Sequence, residues 1–274
     1  MLKEITLGQY FPGNSVLHKM DPRMKIIMLT AFIVFIFCTK NFYSLALMFL
    51  AVICVIMFSG VSMRLYLKSL KAIIYIVLFT SILNLFYGTG EPIWSFWRLS
   101  VTQDGINTAI FVSARIIAMV LVSSSLTYTT TPTDLTDGIE RLLKPLSVFK
   151  IQVHEIAMMM TIALRFIPTL LEETDKIMSA QKARGADFES GNFFSRIKAL
   201  IPILIPLFVS AFRRAYELAM AMESRCYHGG DGRTRMKVLK YSKYDLAAVL
   251  VSCAVFIGVI VCNIYFPKTL RIGM

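Results

Sequence analysis

Residues 41–58, NFYSLALMFLAVICVIMF, form an unbroken apolar run without a charged side chain, and Ser59 and Gly60 follow directly. A run of about this length crosses the hydrocarbon core of a bilayer as an α-helix, because a helix satisfies its own backbone hydrogen bonds there. The glycine is typical of a helix end. The stretch therefore predicts a transmembrane helix and places the chain among the all-α membrane proteins.

Four more apolar runs lie on either side of this one along the chain. They cover residues 24–39, 72–87, 106–128 and 244–266. The first is short for a bilayer, so snorkelling of Lys25 and Lys40 or local thinning has to make up the difference. The predicted fold is an all-α membrane protein with about five transmembrane helices.

A short basic segment precedes the run at 72–87. Residues 61–71 are expected to form a short helix of their own, with Arg64, Lys68 and Lys71 on one face. The loop at 88–104 contains Trp94, Phe96 and Trp97, an aromatic cluster that suits the lipid headgroup region.

Composition agrees with a membrane protein and limits its chemistry. Hydrophobic residues make up 56 % of the chain, and the net charge of +12 is spread along it. Such charge is typical of cytoplasmic loops near anionic lipids rather than of nucleic-acid binding. The five cysteines form no CxxC pair and the three histidines lack metal-ligand spacing. We therefore predict that this chain binds no metal or other cofactor.

Positive charge predicts the orientation in the membrane. Four basic residues lie before or at the start of the first run, and residues 225–243 contain six basic residues against one acid, Asp231. Loops rich in Lys and Arg stay in the cytoplasm. The prediction is a cytoplasmic N-terminus, five spans and an external C-terminus, although two basic residues near the C-terminal end oppose the last assignment.

Residues 129–242 are typical of neither a plain span nor a soluble domain. The chain thus divides into a membrane bundle at 1–128, this central segment, and a last transmembrane helix with its tail at 243–274. We predict that the central segment is a cytoplasmic or interfacial coupling module of two long amphipathic helices and one short helix.

The two long helices of this module are predicted at 152–184 and 193–227, where apolar residues recur at helical period. Their charged ends favour a position along the cytoplasmic face of the membrane. A transmembrane hairpin with residues 172–196 outside is the competing interpretation. The charge density of that loop favours the interfacial position.

Both long helices end in an arginine between two small residues. The motifs are Ala183-Arg184-Gly185 and Ser224-Arg225-Cys226, with the arginines 41 positions apart. Arginine has five donors in a rigid fork and suits a carboxylate-lined groove on another protein. A cation that only complements the helix dipole is the simpler interpretation of either motif alone. The helices are expected to stop at Gly185 and at Gly229-Gly230.

Two further features have structural and functional interpretations. Met158, Met159 and Met160 are either core filler or an adaptable surface that accepts different partners. Arg115 lies inside the fourth apolar run, where a charge normally faces protein or water. It either contacts a partner or pairs within the chain.

Enzyme signatures are absent from the sequence. It contains no GxSxG elbow, no HExxH and no GxxxxGK[ST] loop. If ATP drives this protein, another subunit has to supply the ATPase.

Four motifs in this order resemble the transmembrane T component of energy-coupling factor transporters. They are Tyr10-x-Pro12-Gly13-x-Ser15-x-Leu17-His18-x-x-Asp21-Pro22-Arg23-x-Lys25, then Thr131-Pro132-x-Asp134-Leu135, and the two small-Arg-small motifs. The resemblance covers nearly the whole chain. It implies an L-shaped membrane bundle joined to long cytoplasmic coupling helices.

The resemblance also implies partners. The chain would be a non-catalytic scaffold in a prokaryotic cell membrane, between two ATPases that bind ATP and Mg²⁺ and one or more S components that bind a vitamin or other micronutrient. The six motif residues would dock in grooves on the ATPases, and the methionines at 158–160 would contact the S component. Ser-Arg-Cys departs from the commoner Ala-Arg-Gly, but its residues are still small.

Alternatives remain at this point. The chain is also compatible with a T component dedicated to cobalt or nickel uptake, with a conventional ABC-type permease, and more distantly with a membrane-embedded enzyme.

Overall fold

A computed structural model of the chain describes residues 10–86, 92–96, 99–150, 152–186, 188, 192–230 and 238–266. Its elements in chain order are α1 (Val16–Lys19), α2 (Pro22–Cys38), α3 (Phe42–Ser59), α4 (Met63–Phe86), β1 (Pro92–Phe96), β2 (Leu99–Thr102), α5 (Gln103–Thr129), α6 (Pro132–Leu143), a 3₁₀ helix (Lys144–Phe149), α7 (Val153–Ala183), α8 (Phe193–Glu223) and α9 (Lys243–Tyr265).

Five helices in the described part of the chain are long and apolar enough to cross a membrane, namely α3, α4, α5, α7 and α9. The prediction of an all-α membrane protein with about five such helices is confirmed. The set differs in one member, because α7 is included and α2 is not. With 17 residues α2 reaches about 26 Å. That is somewhat less than the hydrocarbon thickness of about 30 Å.

The separate helix predicted for residues 61–71 is wrong. α4 runs from Met63 to Phe86 without interruption, because no glycine or proline occurs in that range. The basic residues predicted to share one face are all exposed on its first turns. They are Arg64, Lys68 and Lys71.

A short antiparallel hairpin, which the sequence did not predict, leads from α4 towards α5. Its strands β1 and β2 pair Ser95 with Ser100 and Phe96 with Leu99. Of the predicted aromatic cluster, Trp97 and the side chains of Trp94 and Phe96 lie outside the described residues.

The described residues fall into two compact units. One contains the elements up to Gly138 together with Leu239 and α9, and the other contains residues after Gly138 up to Val238. The first is called the bundle unit below, and the second the hairpin unit. The division after residues 128 and 242 that the sequence suggests stays a prediction.

The bundle unit has an apolar core shared by α2, α3, α4, α5 and α9. Its most completely buried members are Ile36, Met48, Val52, Tyr66, Ala118 and Val259. Phe35 of α2 stacks on Phe256 of α9 with ring centroids 4.0 Å apart. Deep in this core, the Tyr66 hydroxyl donates to Ser59 Oγ at 3.0 Å. A buried hydroxyl needs such a partner, because water is excluded there.

Polar residues set where the bundle helices begin. Asp21 accepts the N–H of Arg23 at the start of α2, with Pro22 in the first helical position. Asn41 begins α3 with a capping box, and its side chain also donates to the carbonyl of Cys262 at 2.9 Å. That bond fastens the start of α3 to the end of α9.

Two cations hold α2 and α5 together in antiparallel fashion. Lys25 at the start of α2 donates to the carbonyl of Thr129 at the end of α5, at 2.9 Å. Arg115 of α5 donates to the carbonyl of Thr39, just after α2, at 2.8 Å. Each cation satisfies a carbonyl that a helix end leaves without an intrahelical partner. Arg115 therefore pairs within the chain, as one of its two interpretations proposed.

Candidate functional site

The first small-Arg-small motif forms the end of α7. Gly185 has a left-handed backbone with φ of 88°. Its N–H donates to the carbonyl of Lys182, and the N–H of Ala186 donates to Gln181, both at 3.0 Å. This pair of bonds defines a Schellman motif, in which the left-handed residue ends the helix. The predicted stop at Gly185 is confirmed.

The second motif ends α8 in the same way. Cys226 has φ of 54°, and its N–H donates to the carbonyl of Glu223 at 2.9 Å. The N–H of Tyr227 donates to Met222 at 3.1 Å. The predicted stop at Gly229-Gly230 is wrong, because the turn occurs three residues earlier, at a cysteine. Arg184 and Arg225 thus hold equivalent places, each one residue before the left-handed position.

All six motif residues are exposed. Within the part of the chain that the structure describes, neither the Arg184 nor the Arg225 guanidinium makes an ion pair or a side-chain hydrogen bond. An exposed guanidinium beside small side chains keeps its full set of donors for a partner. The site is therefore a pair of matching helix ends, each with an exposed arginine between small residues, and we call them the docking ends after their predicted role.

Helices α7 and α8 lie side by side in opposite directions. Near the end of α8, the Tyr227 hydroxyl donates to Met158 Sδ at 3.0 Å. Further along α7, Glu173 accepts from Arg214 Nη2 at 3.0 Å and from the Ser210 hydroxyl. The two contacts run in opposite order along the two helices, which makes the pair antiparallel.

This arrangement separates the two arginines. Arg225 lies close to the level of Met158, whereas Arg184 is at the far end of α7. At 1.5 Å per residue, the length of α7 between those levels is roughly 40 Å. The two docking ends thus lie at opposite ends of the antiparallel α7–α8 pair.

The segment after Arg225 packs against the first turns of α7. His154 and Met158, one helical turn apart, face this segment. Met158 contacts Tyr227, and a methyl group on Gly230 would come within 2.2 Å of His154 Cδ2. His154 Nδ1 is also 3.0 Å from Glu140 Oε1. The position of the second docking end therefore depends on the start of α7.

The three methionines predicted to contact a partner do not share one environment. Met158 is half-buried against Tyr227. Met159 and Met160 are 58 % and 39 % exposed. Only the latter two are free to form a binding surface.

Sequence reasoning missed a long exposed apolar surface among the described residues of the hairpin unit. A stripe along α8 repeats at every fourth residue and is exposed throughout, and we call it the α8 stripe. It consists of Leu204, Phe208, Phe212, Tyr216 and Met220. Residues four apart share a helix face, so the spacing was visible in the sequence, but its exposure was not. Exposed apolar patches of this extent mark contact with lipid or another protein.

Among the described residues, no three His, Cys, Asp or Glu side chains come together as a metal site requires.

Comparison with known proteins agrees with these features. A family model described as cobalt transport protein, CbiQ, matches residues 13–238. The chain is 52 % identical to the energy-coupling factor transporter transmembrane protein EcfT of Ruminiclostridium cellulolyticum, over 97 % of this chain and all of that protein. It is 51 % identical to EcfT of Clostridium kluyveri over 98 % of this chain and all of that protein, and 46 % identical to EcfT of Bacillus subtilis over 91 % and 95 %.

The candidate spans and these relatives together define a multi-pass transmembrane component of a transporter. More specifically, the chain belongs to the CbiQ family, and within it to the EcfT transmembrane proteins of energy-coupling factor transporters. The resemblance on which the sequence analysis relied is confirmed. A conventional permease and a membrane enzyme no longer compete with this assignment.

Proposed function

We propose that this protein is the scaffold through which two ATPase subunits move an S component. The ATPases dock on Ala183-Arg184-Gly185 and on Ser224-Arg225-Cys226. The observation that supports this proposal most directly is the repetition of one Schellman ending, with an exposed arginine, at both extremities of the antiparallel α7–α8 pair. A structural helix cap needs no such duplication.

The chemistry of docking follows from the two helix ends. The guanidinium of each arginine binds carboxylates that line a groove on an ATPase. The small flanking residues let the backbone of the helix end approach the groove wall. The chain itself binds no cofactor, and ATP with Mg²⁺ is bound and hydrolysed in the partner subunits.

Movement follows from the way the two helices contact each other. When ATP brings the two ATPases together, each displaces one docking end, and α7 slides on α8. The contact of Glu173 with Arg214 is partly exposed and contributes at most about 1 kcal/mol. Such a contact is weak enough to exchange partners during sliding, as a two-state coupling element requires.

The S component binds the apolar surface of the hairpin unit. Met159, Met160 and the α8 stripe supply flexible and aromatic side chains, which suit an interface that accepts more than one partner. The remaining apolar surface faces lipid. We assign α7 and α8 to the cytoplasmic face of a prokaryotic cell membrane. The five spans are then α2, α3, α4, α5 and α9, with the N-terminus inside and the C-terminus outside.

The transported substrate is a vitamin or another micronutrient held by the S component. Uptake of cobalt or nickel is a second candidate, favoured by the description of the matching family model as a cobalt transport protein. The EcfT relatives carry no substrate in their names.

A pull-down in mild detergent from the native membrane tests the proposal. The tagged wild-type chain is compared with an Arg184→Glu/Arg225→Glu variant. The matched control is Arg165→Glu/Arg213→Glu, which makes the same charge changes at exposed positions within the same two helices. We expect two ATPases on the wild type and on the control, and at least about 100-fold weaker attachment in the docking variant, because a buried charge pair would be replaced by repulsion.

The proteins recovered also identify the substrate class. Several different small membrane proteins on one scaffold would support a shared component for vitamins, and a single metal-specific one would support cobalt or nickel uptake. Full ATPase attachment in the docking variant would contradict the proposed role of the arginines.

A further inference from the structure

The N-terminal turn of α2 contacts both places where the chain passes between the bundle unit and the hairpin unit. The chain leaves the bundle unit after Gly138 and returns to it at Leu239. Pro22 packs against Gly138, and its neighbour Arg23 donates to the carbonyl of Leu239. Residues 139–238, 100 residues in all, belong to the hairpin unit. The residues on either side of this segment thus contact two consecutive residues of α2.

The outgoing connection is held at three points. Lys25 Nζ donates to the carbonyl of Thr129 at 2.9 Å and lies 3.2 Å from Thr130 Oγ1. Further on, α6 packs so closely on α2 that a methyl group on Gly138 would come within 3.2 Å of both Pro22 Cβ and Ile26 Cδ1. Glycine is needed here for close approach of two helices rather than for its backbone freedom.

The returning connection is held by a network of charges. Arg23 is bound by the carboxylate of Asp21, with Nη2 to Oδ2 at 2.7 Å, and its guanidinium lies 4.4 Å from the centre of the Tyr241 ring. Its bond to the Leu239 carbonyl measures 3.4 Å. A planar guanidinium can serve a carboxylate, a carbonyl and an aromatic face together, which a lysine cannot do.

Asp245 completes this network from α9. Its carboxylate accepts the backbone N–H of Asp21 at 3.0 Å and that of Ser242 at 2.6 Å. Asp21 and Asp245 are only 4 % and 3 % exposed, and Lys25 is 8 % exposed. Breaking one member of such a buried network leaves the others without compensation.

We propose that residues 21–26, which we name the α2 joint, transmit the displacement of the hairpin unit into the membrane bundle. Arg23 is its positioning residue. The joint is required for ATP-driven movement of the S component and not for attachment of either partner. This inference rests on the proposed function and adds to it the place where force enters the bundle.

Transmission of a displacement through the joint depends on the stiffness of both connections. When an ATPase moves a docking end, the bundle unit is displaced only if the connecting chain is too stiff to absorb the movement by deforming. Both connections are fixed within one helical turn, by charge-assisted and buried contacts that give way less easily than neutral exposed ones. Loosening either connection at the joint would let the hairpin unit move while the bundle stays still.

The experiment uses the purified complex of wild-type chain, ATPases and S component, with Mg-ATP as the probe. It measures the S component released per ATP hydrolysed, together with the amounts of each partner bound before ATP is added. The variants are Arg23→Gln at the joint and Asn41→Ala as a matched control. Asn41 also links two helices of the bundle unit through a buried side chain, at the other end of α9.

We expect Arg23→Gln to keep both partners and its ATP hydrolysis while the released S component per ATP falls about fivefold or more, the lower range of measured coupling between distant sites. Asn41→Ala is expected to lower stability but to keep the wild-type ratio. Since loss of stability alone lowers assembly, hydrolysis and release together, only the ratio reports on transmission. An unchanged ratio in Arg23→Gln would overturn the inference.

Two milder variants cover the case in which Arg23→Gln does not fold. Tyr241→Ala removes an exposed ring from the returning connection, and Gly138→Ala forces a methyl group into the outgoing one. Each is expected to lower the ratio, and normal ratios in both would contradict the joint. If the wild-type complex itself binds no ATPase or shows no release with ATP, the proposed function fails, which is a different result from uncoupling at the joint.

Discussion

Gly185 and Cys226 occupy the same position in two helix endings, each directly after the arginine and each with a left-handed backbone. Glycine adopts that conformation without steric cost, whereas a residue with a Cβ pays about 1–2 kcal/mol. Gly185 therefore suits the first motif because of its backbone freedom as well as its small size. Cys226 keeps the turn at a conformational cost, so the second docking end is the less stable of the two.

Cys226→Gly is expected to stabilise the end of α8. The substitution relieves about 1 kcal/mol of backbone strain and removes only an exposed side chain. Hydrogen exchange at the Cys226 and Tyr227 amides, which are bonded in the Schellman motif, should slow about fivefold. Gly185→Ala should speed exchange at the first motif by a similar factor, because nothing lies within 4 Å of the new methyl group and only strain is added.

Ala219→Gly, within α8 itself, is the control for a general effect of glycine. There the backbone is helical, so glycine should speed exchange. Faster exchange in Cys226→Gly as well would contradict the assignment of strain to residue 226.

Lys25→Met and Arg115→Met are each expected to destabilise the bundle unit by about 1–3 kcal/mol, because each leaves a helix-end carbonyl without its donor. The thermal midpoint of the purified chain in detergent should fall by several degrees. Since the two contacts lie about 20 Å apart along α2, the effects should add in the double variant. Lys68→Met, at an exposed position of α4, serves as the control and should leave the midpoint nearly unchanged.

Met158 and Met159 are expected to have different partners although they are neighbours. Met158→Ala removes the contact that supports Tyr227 beside the second docking end, so ATPase attachment should weaken. Met159→Ala removes an exposed side chain from the proposed S-component surface, so S-component capture should fall roughly tenfold. Quantitative pull-down of both partners checks this. Equal loss of both partners in both variants would instead indicate misfolding.

The position of α7 relative to the membrane can be read by cysteine labelling. In a chain that keeps only Cys226 of its five cysteines, Ala183→Cys adds a second exposed thiol at the other docking end. If α7 and α8 lie on the cytoplasmic face, an impermeant maleimide should label neither thiol in intact cells and both after permeabilisation. A transmembrane hairpin would expose residue 183 alone to the outside. Cys226 is internal in either case and serves as the reference.

The sequence predicted what local chemistry controls. The run at 41–58 became α3, and the two long amphipathic helices have ends close to the predicted ones. Apolar runs and helical periodicity act over a few residues and need no knowledge of neighbours. The arginine motifs were found in the same way, because each is a short local pattern at a helix end.

Local patterns were less reliable where the same sequence feature was compatible with two structures. The basic stripe at Arg64 and the apolar run after it are a single helix, because nothing between them breaks it. The three methionines at 158–160 look alike in sequence, yet packing against Tyr227 separates Met158 from the others. At Cys226 the helix turns without the glycine on which the expectation relied.

By itself, the sequence determined the class of this protein: membrane helices, two amphipathic helices and two matching arginine ends, all encoded in runs of adjacent residues. Only the tertiary structure decided that Lys25 and Arg115 pair with the carbonyls of Thr129 and Thr39, and that Arg23 meets Leu239. These contacts join residues 76 to 216 positions apart. Their energy depends on burial and exact geometry, which arise only when the helices have packed.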